Sequence, residues 1–118
     1  MRISLALPVL ERVNEYFQSE ANFVQNSAAL DLHDNSVDPR SPDACRFCTL
    51  GAIVHFSHVL HPRSHVRMEK ADSSAKDLLR SVLKEADPYL TIVGGNDRRG
   101  WKFMRRMLKK TIDRYRKK

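Results

Sequence analysis

Trp101, Met104, Leu108, Ile112 and Tyr115 stand three and four residues apart. Arg98, Lys102, Arg105, Arg106, Lys109, Lys110, Arg116 and Lys117 fill the positions around them. The helical repeat of 3.6 residues gathers the first set on one face and the second on the other. A helix of this kind is not stable by itself, because its apolar stripe has to be covered by other parts of the chain. The fold must therefore provide further amphipathic helices to pack against it.

The preceding residues provide them. Leu5, Val9, Leu10, Val13, Tyr16 and Phe17 repeat on one face and predict a helix over about 4–19, with Pro8 tolerated in its first turn. A second helix is expected over about 43–60, stopped by Pro62. Its apolar residues Phe47, Leu50, Ile53, Val54, Phe56 and Val59 almost encircle it, which places it centrally, and Gly51 and Ala52 admit a close neighbour. A third is expected over about 72–86, with Ala75, Leu78, Leu79, Val82 and Leu83 inward and Pro88 ending it. Residues 31–43 carry Pro39 and Pro42 among Asp, Asn and Ser and read as a surface loop. The β-branched and apolar run 89–93 reads as a lone extended segment. Gly94-Gly95 then turns the chain into the final helix, capped by Asn96 or Asp97. The expected fold is all-α, or mainly α with one short extended segment. It is a compact bundle of about four helices over a single domain, 1–118, ending in a long basic amphipathic helix.

A chain of 118 residues, 42% of them apolar, can build a core without covalent help. Its two cysteines, Cys45 and Cys48, are too few and too close for a disulfide framework, which fits a reducing compartment. The apolar run after Met1-Arg2 is interrupted by Pro8 and followed by Glu11-Arg12 without a small-residue cleavage site, so no signal peptide is expected. No stretch approaches the roughly 20 apolar residues of a membrane helix. A cytoplasmic protein without a membrane partner is expected.

The net charge of +7 is unevenly distributed. Residues 98–118 hold eleven Lys or Arg against one acid, Asp113, for +10; the rest of the chain is at −3. Cations so crowded repel one another unless something neutralises them, and phosphates do so with release of counterions. Arg98, Arg99, Lys102, Arg105, Arg106, Lys109 and Lys110 are the expected contacts to nucleic acid or an acidic partner. A purely solubilising face is the alternative. With no element in view that would read bases, weak sequence preference is expected. Trp101, Phe103 and Tyr115 lie among the cations but are expected mostly in the core.

Other candidate chemistry is weaker. Cys45, Cys48, His55 and His58, with His61 and His65 beyond them, are zinc-ligand types. On one helix, however, Cys48 and His55 would lie roughly 10 Å apart along the axis, too far for one tetrahedral ion. No metal and no cofactor are expected. Cys48 as a nucleophile would need a base such as His33, His55 or His58; small buried thiols are the simpler reading. Residues 94–100, with two glycines and two arginines at a helix start, could hold a phosphate but lack the spacing of a P-loop. Asp31, Asp34 and Asp38 lack the Gly and terminal Glu of a calcium loop and are expected to be solvated.

Phe23, Gln25 and Asp31, then Cys48, Gly51 and Ala52, then Asn96 and Asp97, follow one another as an aromatic-x-Gln segment leading to Asp, a Cys-x-x-Gly-Ala helix and an Asn-Asp pair before the last helix. In this the chain resembles a family of small uncharacterised bacterial and phage proteins, differing at Phe23, where Trp is usual, and at Asn26 and Asn35, where Gly is usual. The resemblance implies a compact helical fold and no particular activity. Its phage association suggests, as an alternative, an accessory protein that inhibits a host factor by docking on it. A non-enzymatic nucleic-acid or nucleoprotein binder comes first. A small Cys-dependent enzyme or nucleotide binder comes last.

Overall fold

The computed structural model describes residues 2–117. Helices α1 (Ile3–Tyr16), α2 (Thr49–Leu60), α3 (His65–Ala86) and α5 (Gly100–Arg116) are long, and α4 (Ile92–Gly94) is a single turn before α5. Strands β1 (Ala29–Leu30) and β2 (Arg46–Phe47) pair antiparallel, Ala29 opposite Phe47 and Leu30 opposite Arg46. The mainly α bundle ending in a long basic helix is present, with this small strand pair added. The Cα radius of gyration is 13.2 Å, close to the roughly 13.5 Å of a tightly packed chain of this length.

α1 lies against α2, α3 and α5, and α3 also against α2 and α5. Val9, Leu10, Val13, Phe17, Ile53, Leu78, Leu79, Leu83, Met104 and Leu108 meet in one core from which water is excluded. Each such side chain contributes roughly 1.5–3 kcal/mol of transfer free energy. The stripe on α5 is wider than its sequence spacing suggests. Phe103 and Thr111 are buried with Met104, Leu108 and Ile112, whereas Trp101 and Tyr115 are only partly covered.

Several boundaries differ from those expected. Pro8 is the sixth residue of α1, beyond its first turn. Ser4 and Pro8 are both exposed, so the carbonyl that loses its N–H partner faces water. α2 starts at Thr49, six residues later than expected, because 45–48 run extended instead. The Cys45 N–H bonds the Leu30 carbonyl, and the Cys48 N–H bonds the Ala28 carbonyl. Cys48 then caps the helix, its Sγ accepting from the Gly51 N–H at 3.3 Å. Gly51 is required there, since a Cβ would overlap the Ala28 carbonyl oxygen. α3 begins seven residues early, at His65, capped by the Ser64 hydroxyl, which accepts from the Arg67 N–H.

Residues 89–93 are not extended. Residues 87–90 form a turn closed by the Leu90 N–H on the Asp87 carbonyl, and Thr91 caps α4 through the Gly94 N–H. Gly94 and Gly95 keep right-handed helical dihedrals and lead into a π-helical turn, Gly95–Arg99. The chain bends instead at Gly100, whose φ of 85° favours glycine. Asn96 and Asp97 lie inside the π turn, and Arg99 occupies the cap position of α5.

Candidate nucleic-acid interface

The start of α5 is held by a buried polar cluster. Asn96 is 1% exposed. Its Oδ1 accepts from both the N–H and the hydroxyl of Thr49 at 2.8 Å, and its Nδ2 donates to the Val24 carbonyl and to Asp97 Oδ1 at 2.9 Å. Two lone pairs and two N–H groups are thus all used. The Gln25 amide donates to the Asn96 and Asp97 carbonyls at 3.1 Å, and Asp97 Oδ1 also accepts from the N–H of Asn26, which has a φ of 65°. Gln25, Asn96 and Asp97, distant in sequence, meet beside the first turn of α2. Further along α5, Trp101 Nε1 donates to the Phe17 carbonyl at 2.7 Å, and the Tyr115 hydroxyl bonds Ser81 at 2.9 Å. These fastenings fix which side of α5 faces outward.

The outward side is divided electrically. Asp113 is not the only acid within reach, as the sequence suggested, because α1 and the end of α3 bring others. Glu85 takes both arms of the Arg114 guanidinium and lies 3.8 Å from Lys110. Arg114, more than Lys110, holds the Glu85 carboxyl below its ordinary pKa by hydrogen bonding. Glu11 pairs with Arg116 at 2.5 Å, and Asp87 with Arg99 at 3.5 Å. Of the seven expected contacts, Arg99 and Lys110 are therefore paired. Arg98, Lys102, Arg105, Arg106 and Lys109 have no acid partner among the described residues.

Lys102, Arg105, Arg106 and Lys109 form one stripe and, with Asn14 and Trp101, line a groove of about 380 Å³ between α1 and α5. Aromatic faces rather than carboxylates position its arginines. The Arg105 guanidinium lies over Trp101 at 5.5 Å, and that of Arg106 over Phe103 at 6.0 Å, with Arg99 at 5.0 Å from the same Phe103 ring. Stacked guanidinium groups keep their terminal N–H groups for an anion, although Arg105 Nε itself is buried. Asn14 enters from α1 and nothing in its sequence context marks it. Tyr89, 92% exposed, also went unmarked by the helical pattern; the Asp87-Pro88 pair before it is the turn signal that displays it.

The remaining candidates are otherwise engaged. The cysteines lie outside α2, so they do not share a helix with His55 and His58. No group of three or more His, Cys, Asp or Glu among the described residues is placed to hold a metal. Cys45 Sγ points to the Leu30 carbonyl. His55 Nδ1 bonds the Pro39 carbonyl at 2.7 Å, with its ring 4.6 Å from that of Phe47. Burial raises the pKa of the Cys48 thiol, the reverse of what a nucleophile needs, and the Asp97 charge adds to the rise. Residues 94–99 are helical and not an open phosphate loop. Asp34 and Asp38 are exposed to solvent as expected, and the three acids also tie the loop. Asp31 accepts from the His33 and Asn35 N–H groups, Asp38 binds Arg40, and Asp34 binds Arg46. No described helix is long and apolar enough to cross a membrane.

In comparisons with known proteins the chain matches no family model, no curated protein and no solved structure.

Proposed function

We propose that this protein is a non-enzymatic binding protein that contacts nucleic acid, free or within a nucleoprotein complex, through phosphates held by α5. The observation that carries this reading is the stripe Lys102, Arg105, Arg106 and Lys109, four cations lining one groove without an acid partner among the described residues. Several neighbouring cations do have partners, Arg99 in Asp87, Lys110 and Arg114 in Glu85 and Arg116 in Glu11, and the stripe stands out from them. Phosphate oxygens supply the missing negative charge, and displaced counterions supply the entropy. The contacts are to backbone, so binding depends weakly on sequence.

Retention of labelled DNA and RNA by the purified protein at low salt tests this. Binding that weakens steeply as salt rises is expected. Absence of retention of either polymer would overturn the reading and bring forward an acidic protein surface, which a pull-down insensitive to nuclease would identify.

A further inference from the structure

The turn before α4 carries a further exposed feature. Residues 87–90 form a turn in which Pro88 fixes one backbone dihedral and the buried Leu90 anchors the far end. Asp87 Oδ1 accepts from the Tyr89 N–H at 3.0 Å, while Asp87 Oδ2 lies 3.5 Å from Arg99. Arg99 and Arg106 share the Phe103 ring. The Tyr89 backbone is thus linked through the Asp87 carboxylate to Arg99, and Arg99 through the Phe103 ring to Arg106 of the stripe. Tyr89 is 92% exposed, on a backbone already held in place.

The other aromatic residues of this region are committed. Phe103 is 8% exposed, Trp101 is tied to Phe17 and covered by Arg105, and Tyr115 is tied to Ser81. Tyr89 alone among them offers a free ring face. The stripe itself is short, about 10 Å from Lys102 to Lys109 at 1.5 Å per residue. It runs into a neighbouring groove lined by Glu11, Glu15 and Asp113, among others. Such a footprint suits a few consecutive phosphates of one strand better than the paired backbones of a long duplex.

We infer that the nucleic acid bound is single-stranded, with Tyr89 stacking on an unpaired base while Lys102, Arg105, Arg106 and Lys109 hold phosphates further along the strand. This rests on the reading under Proposed function. A free ring on the same surface network as a cationic track suits a grip on single strands without regard to sequence, since every base has a π face and only an unpaired base can present it. The rigid turn means that little freedom is lost when the base arrives.

Fluorescence anisotropy with a labelled single-stranded oligonucleotide of about ten nucleotides, against the duplex of the same length and at the same salt, tests the inference. The single strand should bind more tightly. Tyr89→Ala should weaken single-strand binding by about 5- to 150-fold without changing its salt dependence, and Tyr89→Phe should restore it. An equal or tighter grip on duplex, or a Tyr89→Ala variant that binds single strands like the wild type, would overturn the inference and leave the phosphate reading intact. No binding of either form would overturn both.

Discussion

Replacing Asn96 by Ala would remove the fastening that positions α5. Thr49 has no solvent exposure, and both its N–H and its hydroxyl depend on Asn96 Oδ1; the Val24 carbonyl loses its amide donor as well. Each buried polar group left without a partner costs about 1–3 kcal/mol. The hydroxyl can turn to recover part of its bonding, so the total should be about 3–5 kcal/mol. For a domain of ordinary stability, about 5–15 kcal/mol, that is a large fraction, and it corresponds to a fall in Tm of roughly 10–20 °C. Urea unfolding followed by circular dichroism measures it: the midpoint should drop with an unchanged m-value. Asn96→Asp keeps one acceptor but sets a carboxylate against the Val24 carbonyl and Asp97. Its defect should be greatest at neutral pH and shrink as the pH falls and protonation restores a donor. A loss below about 1 kcal/mol for Asn96→Ala would refute the view that this cluster anchors the helix.

Gly51→Ala should be among the most damaging single-methyl additions, because the new Cβ meets backbone at Ala28 and not a movable side chain; a loss of about 3 kcal/mol or more, or failure to fold, is expected in thermal melts. The Glu85 carboxyl is held below its ordinary value of 4.5 chiefly by Arg114. Its contribution should therefore be present above that pH and fade as the pH falls through the lowered folded-state value. Glu85→Gln should reduce this acid-side dependence of Tm at low ionic strength, and high salt should erase the difference because the pair is exposed.

What was readable in the sequence is what periodicity encodes. Leu5, Val9 and Val13, Leu78, Val82 and Leu83, and Met104, Leu108 and Ile112 reach the core because helical spacing alone puts them on one face. The early turns of α3 escaped notice because most of 65–70 is exposed and carries no apolar stripe; only the Ser64 cap marks them. Residues 45–48 looked helical by composition, yet the Cys45 and Cys48 N–H groups are taken by Leu30 and Ala28, a long-range pairing that local pattern does not contain. The glycine pair 94–95 suggested a turn, but the bend falls at Gly100. The cations of the interface were visible as a charge run. Which of them remain uncompensated depends on Glu11, Glu85 and Asp87, whose approach is a property of the packed bundle.

That division between paired and unpaired cations is tested most directly by the salt dependence of binding. On a duplex log K falls by about 0.9 per phosphate for each unit of log salt, and by about 0.7 on a single strand. Four contacts from Lys102, Arg105, Arg106 and Lys109 therefore predict a slope of about −3 to −4. Changing these four to Gln, which keeps adequate helix propensity, should bring the slope close to zero. Changing Arg114 and Arg116 to Gln should leave it nearly unchanged, because Glu85 and Glu11 already hold these two. A wild-type affinity that ignores salt, or a second variant that loses as much slope as the first, would contradict the assignment of the phosphate-binding face to this stripe.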